Sequence, residues 1–186
     1  MGNVKALGET RSLDTRQKPI QLGIFGGDRS MTELPFGLKG RIYRSPMPYG
    51  TYDPQGVIFD EFVASGIQAV FVLASWDECV EKTGRDLAAL YRDRGLTVVY
   101  LPIADFETPG LAETKKAIDE VLHLARTGKN VAIHCSAGIG RTGLIVACMA
   151  KVLFRLAGDE AISWTRSRIP RAIETKVQEH FVKMYG

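Results

Sequence analysis

The sequence predicts an α/β protein, a single domain whose central, mostly parallel sheet of about four to five strands is flanked by helices on both faces. Three observations lead to this prediction. Apolar runs of strand length recur along the chain, stretches with helical spacing alternate with them, and glycine or proline separates the two. Such alternation is typical of parallel sheets covered by helices. The length of 186 residues fits one domain with a tail.

The N-terminal part predicts a tail, two short strands and a helix. Residues 1–19 are polar, carry charges of both signs and are predicted to be flexible, so that the folded domain spans 20–186. Gln21–Phe25 and Arg41–Ser45 are predicted strands, because loops rich in glycine and proline bound them. Apolar residues at helical spacing predict a helix over residues 57–65.

The middle of the chain predicts two strands around one helix. Ile67–Ala74 is a nearly continuous apolar run, as expected for a strand buried on both faces. Residues 77–94 predict a single polar helix with Val80 on its buried side, and Thr97–Leu101 predict the next strand. Residues 102–110 contain two prolines and are predicted to be a loop.

The C-terminal part predicts one strand and four helices. Leu111–Arg126 has apolar residues in helical register, and Asn130–His134 is a short apolar strand. An apolar helix is predicted from about Thr142 to Leu156. The next helix is predicted to begin with Asp159 as its N-cap, and Glu174–Tyr185 predict the last one.

Composition excludes several classes of protein. Apolar residues make up 45% and charged residues 24%, which excludes a disordered, collagen-like or membrane chain. The net charge of +3 is too small to indicate nucleic-acid binding. Three cysteines fit a reducing compartment, and no apolar stretch has the length of a signal peptide or of a membrane span. We therefore expect a cytoplasmic monomer without a nucleic-acid or membrane partner.

The stretch at residues 131–143 reads VAIHCSAGIGRTG and admits two interpretations. Its three glycines form a GxGxxG pattern between a strand and a helix, as in dinucleotide-binding sites. That interpretation requires an acidic residue after a second parallel strand, but the segment after this helix looks helical and then looped. The sequence favours the alternative, in which Cys135 is followed after five residues by Arg141 in a tight loop.

A Cys-x5-Arg loop of this kind suits phosphate chemistry. Successive backbone N–H groups in a tight loop turn inward and form a nest for an anion. The loop runs into a helix N-terminus, whose partial positive charge strengthens the field. Arg141 offers a planar fork for two phosphate oxygens. A cysteine in such a field ionises readily, so Cys135 is predicted to be a nucleophile aimed at phosphorus.

Phosphoryl transfer to a thiolate also requires a proton for the departing oxygen. Asp105 is the predicted donor because it lies in the loop 102–110, at the rim that parallel strands would share with Cys135. Glu107 in the same loop is the alternative donor. Cys148, by contrast, lies among apolar residues in a helix and is predicted to be a core residue.

Three segments resemble one known family. HCSAGIGRTG resembles the signature HCxxGxxR[ST]G of the cysteine-dependent protein tyrosine phosphatase superfamily and matches it completely. LPIADFETP resembles the general-acid loop of the dual-specificity branch, especially of the kinase-associated phosphatase type. RAIETKVQEHF resembles the late Gln-Thr-x-x-Gln segment, with Glu174 at the first Gln position. The resemblance covers roughly residues 40–186 and implies a phosphatase-like catalytic domain within 20–186.

The resemblance also implies residue roles. Cys135 would attack phosphorus and form a phosphocysteine, Asp105 would protonate the leaving oxygen and then activate water, and Thr142 would donate its hydroxyl to the sulfur. His134 would orient the loop, and Gln178, with Glu174, would place the water. The implied phosphate-binding residues are Ser136, Ala137, Gly138, Ile139, Gly140 and Arg141.

The implied activity is hydrolysis of phosphotyrosine in proteins or peptides, with phosphoserine and phosphothreonine as further substrates. No cofactor and no metal is implied, and phosphate, sulfate or vanadate would bind in the loop. Two alternatives remain: a phosphate-reading module without turnover, and a phosphatase of a non-protein substrate such as a phosphoinositide. The loop lacks the lysines that mark phosphoinositide phosphatases.

Five further residues are candidates for roles around the site. Some members of the family protect the nucleophile with a second cysteine, which would be Cys79 here. Arg44 is a candidate for the pocket rim, with an ordinary place in an edge strand as the alternative. Arg166, Arg168 and Arg171 are candidates for the mouth of the pocket or for a solvated face.

Overall fold

The computed structural model describes residues 30–186, within which it contains five strands and seven helices. The predicted tail at 1–19 and the predicted strand Gln21–Phe25 lie outside the described residues. In chain order the elements are β1 (Thr32–Leu34), β2 (Ile42–Ser45), α1 (Val57–Ala64), β3 (Ile67–Val72), α2 (Trp76–Thr83), α3 (Leu87–Asp93), β4 (Thr97–Tyr100), α4 (Leu111–Arg126), β5 (Asn130–His134), α5 (Gly140–Phe154), α6 (Gly158–Arg166) and α7 (Lys176–Met184).

The strands form one sheet in the order β1-β2-β5-β3-β4. The pairs β2–β5, β5–β3 and β3–β4 are parallel, and only β1 runs antiparallel to its neighbour. The predicted α/β class with a mostly parallel sheet is therefore confirmed. Because β3, β4 and β5 are parallel, the loops that follow them emerge at one edge of the sheet. Strand β1 was not predicted, since its three residues are too few to form a pattern and Pro35 follows directly.

Helices cover both faces of the sheet, and a hydrophobic core lies under each layer. Helices α4–α7 pack on one face and α1–α3 on the other. Successive residues of β3 point to opposite layers: Phe71 faces α4–α7, whereas Val70 and Val72 face α1–α3. Each such fully buried side chain contributes about 1.5–3 kcal/mol to folding. Helix α5 is buried continuously from Gly140 to Ala150, so it is the central helix of the thicker layer.

The single helix predicted over residues 77–94 is wrong, because the chain forms α2 and α3 there. Gly84 adopts a left-handed conformation and ends α2, with its N–H donating to the Val80 carbonyl. The Asp86 carboxylate then accepts from the Ala89 N–H and begins α3. As a result Val80 is 50% exposed, although it was expected on the buried side, and Cys79 is fully buried instead.

Three helix starts also differ from prediction, and the first is that of α5, which begins at Gly140 instead of about Thr142. Helix α6 begins at Gly158 with Ala157 as its N-cap, so Asp159 lies in the first turn and forms an ion pair with Lys183 at 2.8 Å. Helix α7 begins at Lys176, because the Thr175 side chain accepts from the Gln178 N–H and acts as the N-cap.

Candidate active site

The phosphate loop, defined here as residues 135–139, connects β5 to α5 at the carboxyl edge of the sheet. It lies against the end of β2, where the Met47 N–H donates to the Ser136 carbonyl at 2.9 Å. Gly138 has a φ of 70°, and a Cβ there would overlap the Ser45 carbonyl. Only glycine therefore fits at this close approach.

The N–H groups of the phosphate loop are available to a ligand. Within residues 30–186, the N–H groups of Ser136, Ala137, Gly138 and Ile139 donate to no protein acceptor. The loop leads directly into the N-terminus of α5, which adds partial positive charge. The arrangement therefore has the donors that an oxyanion requires.

Arg141 lies in the first turn of α5 and is only 1% exposed. Its two terminal nitrogens donate to the two carboxylate oxygens of Glu78 at 2.7 and 2.8 Å, and one of them also donates to the Ile103 carbonyl at 3.0 Å. A guanidinium has five N–H donors, and the bonds to Glu78 and Ile103 use three of them. The Nε–H and one terminal N–H remain, and they lie together on the neighbouring edge of the guanidinium. That edge can hold two oxygens of one phosphate.

The charge of Arg141 is stabilised despite its burial. Burial disfavours the cation, but the bond to Glu78 and the charges of neighbouring acidic groups outweigh it, so the pKa of Arg141 is raised. The same bond, followed by a contact with Lys82, holds the pKa of Glu78 below its usual value. The ion pair is therefore fully charged at neutral pH.

Two further residues of the site, Glu78 and Lys82, both lie on α2 and were not predicted from the sequence. Lys82 donates to the Ser136 hydroxyl at 3.0 Å and forms an ion pair with Glu78 at the same distance. Neither residue belongs to a motif. The available signal was their spacing of four residues on the helix that follows β3, at the edge of the sheet shared with the phosphate loop.

Asp105 lies across the cavity from the phosphate loop. Its carboxylate is 3.3 Å from Arg141 Nε, and its side chain is 52% exposed. The beginning of its loop is fixed, because the Ile103 N–H donates to the Leu73 carbonyl and the Ile103 carbonyl accepts from Arg141. Asp105 thus lies near both the predicted nucleophile loop and solvent, as a proton donor must.

His134, at the end of β5, is fully buried. Its Nδ1 lies 3.1 Å from the Cys135 carbonyl, and its Nε2 lies 2.9 Å from the Tyr91 hydroxyl. Burial lowers the pKa of His134 to about 4, so the ring is neutral at pH 7. Because a carbonyl only accepts, Nδ1 carries the proton and Nε2 accepts from Tyr91. His134 therefore contacts the Cys135 backbone, and its orienting role remains a prediction.

Thr142 is buried in the first turn of α5, and its hydroxyl has no hydrogen-bond partner among residues 30–186. Arg44, a candidate for the pocket rim, is buried instead at 1% exposure. Burial lowers the pKa of Arg44, whereas a negative charge on Cys135 would raise it, which places the guanidinium near the phosphate loop.

Glu174 and Gln178 occupy different positions. The Glu174 carboxylate lies directly over Gly140 and lines the cavity, and burial, followed by repulsion from Asp105, raises its pKa. Gln178 is fully buried, and its amide oxygen accepts from the Glu174 N–H at 2.8 Å. Its amide nitrogen donates to the Glu107 carbonyl at 3.3 Å. The predicted water-placing role therefore remains a prediction for both residues.

The site contains a cavity of about 150 Å³. The phosphate loop and α5 contribute Cys135, Ser136, Ala137, Gly140 and Arg141, and the surrounding elements contribute Tyr52, Lys82, Asp105, Phe106 and Glu174. Both aromatic side chains are exposed, at 44% for Tyr52 and 54% for Phe106. Of the two acidic residues predicted as proton donors, Asp105 is the one in this lining.

The other two cysteines and the three arginines proposed for the mouth of the pocket occupy different parts of the structure. All three cysteines are free. Cys148 is a core residue, as predicted, and burial, followed by the charge of Glu78, raises the pKa of Cys79 to about 12. Arg166 donates to the Ala172 and Ile173 carbonyls, and Arg168 stacks on Trp164. Burial, followed by repulsion from Asp105, raises the pKa of Glu174, and the charge of Arg171 partly opposes this rise.

Among residues 30–186, no group of three or more His, Cys, Asp or Glu side chains is arranged to hold a metal ion. In the same range, every helix is too short or too polar to cross a bilayer.

A family profile shows to which family the chain belongs. The profile of the polymorphic toxin system DSP-PTPase phosphatase matches residues 49–153, which include the loop with Asp105, the phosphate loop and Arg141. The chain belongs to the DSP-PTPase phosphatase family. The predicted dual-specificity affiliation and the prediction of a cysteine-dependent phosphatase are confirmed at the level of the family.

Relatives of the chain include larger proteins. Protein tyrosine phosphatase domain-containing protein 1 of Mus musculus is 30% identical over 137 residues, which cover 65% of this chain and 17% of that protein. Cyclin-dependent kinase inhibitor 3 of Homo sapiens is 30% identical over 125 residues, which cover 66% of this chain and 59% of that protein. The chain therefore spans less than two thirds of the length of either relative.

Among solved structures, kinase-associated phosphatase with a serine in place of its catalytic-site cysteine is similar to this chain. The TM-score is 0.74, with 24% identity and coverage of 82% of this chain and 90% of that chain. At this identity the similarity supports the fold alone.

Proposed function

We propose that the chain hydrolyses phosphate monoesters of proteins, phosphotyrosine first among them, through a phosphocysteine intermediate. The observation that carries the proposal is the convergence of Cys135, the free edge of Arg141 and Asp105 around one cavity. Family membership supports the same chemistry.

In the first step of the proposed reaction, the Cys135 thiolate attacks phosphorus and the bond to the leaving oxygen breaks. Asp105 gives its proton to that oxygen, so the leaving group departs neutral. The N–H groups of residues 136–141 and the free edge of Arg141 hold the remaining phosphate oxygens. His134 stays neutral and orients the Cys135 backbone.

In the second step, water attacks the phosphorus of the phosphocysteine and gives its proton to Asp105. The P–S bond breaks, and the thiolate leaves with a hydrogen bond from the Thr142 hydroxyl, which is free to donate. Glu174 and Gln178 are proposed to place the water. The products are inorganic phosphate and the resting enzyme.

The lining of the cavity supports a monoester with an aromatic leaving group. Tyr52 and Phe106 expose apolar rings beside the cavity, where a phenyl ring can pack. Asp105 and Glu174 place two acidic groups among the lining residues, which disfavours substrates with several phosphates. Phosphoserine and phosphothreonine are the further protein substrates proposed.

The test is hydrolysis of p-nitrophenyl phosphate by the whole chain in the presence of a metal chelator. We expect turnover by the wild type, inhibition by vanadate, and no turnover by Cys135→Ser. Cys148→Ala is the matched control, because its thiol is remote in the core, and it should stay active once folded. Activity retained in Cys135→Ser would contradict the mechanism. Phosphotyrosine, phosphothreonine and phosphoserine peptides, compared with phosphoinositide vesicles, then identify the substrate class.

For the surroundings of the enzyme, we propose a monomer in the cytoplasm. The three free cysteines support a reducing compartment. Gel filtration of the purified chain tests the oligomeric state.

A further inference from the structure

The loop that carries Asp105 contains a strained turn. The Glu107 N–H donates to the Ala104 carbonyl at 3.1 Å and closes the turn around Asp105 and Phe106. Phe106 has a φ of 65°, in the left-handed region that bulky side chains rarely adopt. A turn of this kind persists only where its surroundings hold it in place.

Two side chains at the start of α7 hold this turn. The Thr175 hydroxyl donates to the carbonyl of Phe106 at 3.2 Å. The Gln178 amide nitrogen donates to the carbonyl of Glu107 at 3.3 Å. Both acceptors therefore belong to the strained part of the turn, immediately after Asp105.

The two side chains support each other. The Thr175 hydroxyl oxygen accepts from the Gln178 N–H at 3.2 Å while its proton is directed to Phe106. Gln178 is fully buried, and its amide oxygen is fixed by the Glu174 N–H. One hydroxyl thus caps α7 and holds the loop of Asp105.

We propose that Thr175 is a positioning residue for the general acid, with Gln178 as a second holder of the same loop. This inference rests on the proposed function. The beginning of the loop is fixed at Ile103 by Leu73 and Arg141. Thr175 and Gln178 fix the other side, so Asp105 is held between two anchored points and 3.3 Å from Arg141 Nε.

The experiment compares leaving groups. A misplaced acid slows substrates with a basic leaving group, which need its proton, much more than substrates whose leaving group departs unaided. In Thr175→Val we expect kcat/KM, which reports only the steps up to formation of the phosphocysteine, to fall about 10–100-fold for phenyl phosphate and less than about threefold for 2,4-dinitrophenyl phosphate. The basic limb of the pH profile, which reports a protonated acid, should weaken in parallel.

Three companion variants separate positioning from stability. Thr175→Asp keeps an N-cap acceptor but has no proton to donate to Phe106, so it should reproduce the selective loss of Thr175→Val. Thr175→Ser keeps both functions and should restore the wild-type ratio of the two substrates. Thr127→Val removes a hydroxyl that also donates to carbonyls, at the far end of α4, and should leave the ratio unchanged.

The outcomes are distinct. An equal loss for both substrates in Thr175→Val and Thr175→Asp, or no loss, would overturn the positioning role. In an Asp105→Asn background, Thr175→Val should add less than about a twofold effect, because the acid is already absent. A wild type that hydrolyses neither substrate would refute the proposed function itself, which is a different result from failure of the positioning role.

Discussion

At the scale of single residues, the site is organised by buried charges with fixed partners. Arg141 is held by Glu78 before any substrate arrives, and Glu78 also holds Lys82 beside Ser136. A bound phosphate therefore lies beside two cations, Arg141 and Lys82, and the positions of both depend on the Glu78 carboxylate. The Cys-x5-Arg motif gives no indication of this dependence.

Replacement of Glu78 by Gln tests that dependence. The amide can accept only at its oxygen and turns its own N–H groups toward Arg141, so the guanidinium should shift. Loss of a hydrogen bond between charged groups costs about 1.5–3 kcal/mol, and we expect kcat/KM for p-nitrophenyl phosphate to fall about 10–100-fold. Glu81→Gln, on the same helix but exposed, should have no effect. Unchanged kinetics in Glu78→Gln would contradict the inferred role.

His134 gives a prediction for stability against pH. Its folded-state pKa of about 4 lies below the usual value of 6.5, so the unfolded chain binds more protons between these pH values. Stability should therefore fall by about 3 kcal/mol as the pH drops from 6.5 toward 4. Urea unfolding at several pH values measures this loss.

The matched variants for this prediction are His134→Gln and His123→Gln. The first should remove most of the loss between pH 6.5 and 4, since it removes the buried ring that must stay neutral. The second replaces an exposed histidine and should leave the loss in place. If His134→Gln unfolds with the same pH dependence as the wild type, other groups cause the effect.

At the scale of elements, the phosphate loop depends on the end of β2 as much as on its own sequence. Gly138 touches the Ser45 carbonyl, and the Met47 N–H holds the Ser136 carbonyl. The loop is thus shaped by a neighbouring strand that contributes no catalytic side chain. Changes at that contact should affect activity and stability together.

Gly138→Ala tests this contact. The added methyl group overlaps backbone atoms of β2, and the left-handed conformation adds strain, so we expect a loss of at least about 2–3 kcal/mol of stability together with most of the phosphatase activity. Gly95→Ala is the matched control: its φ is 68°, but a Cβ there meets open space. It should cost about 1 kcal/mol and leave kcat unchanged. Equal effects of the two variants would show that backbone strain alone is responsible.

At the scale of the whole molecule, the site joins both layers of the fold. Glu78 and Tyr91 come from the α1–α3 layer, whereas Arg141 and Gln178 come from the α4–α7 layer. An oxyanion bound to the phosphate loop should therefore stabilise the entire domain. The stability that the ligand adds depends on the ratio of its concentration to its Kd.

Tungstate and the Cys135→Ser variant test this linkage without turnover. At 100 times its Kd, the ligand should add about 3 kcal/mol and raise Tm by about 5–10 °C. Cys135→Ser/Arg141→Lys should lose most of the shift, because an ammonium cannot hold Glu78 and the oxyanion in the same planar fork. A full shift in the double variant would contradict the assignment of the phosphate fork.

The sequence was sufficient to predict the parallel strands and the phosphate loop. It was not sufficient to predict the side chains that support this loop from other elements. Strands β3 and β5 are nearly continuous apolar runs, so the sequence predicted them directly, and the phosphate loop has a fixed spacing. Glu78, Lys82 and Tyr91 act through contacts between elements that are distant in sequence. The break at Gly84 was hidden because the residues around it are polar and compatible with one longer helix. Only the assembled fold relates these residues to Cys135.

The fixed partners of Arg141 also have an entropic consequence. A free arginine side chain loses up to about 2 kcal/mol of rotamer entropy when a ligand immobilises it. Here Glu78 and Ile103 restrict the guanidinium already during folding. Phosphate binding should therefore show little unfavourable conformational entropy in calorimetry, and the affinity for oxyanions should be determined mainly by the enthalpy of their hydrogen bonds.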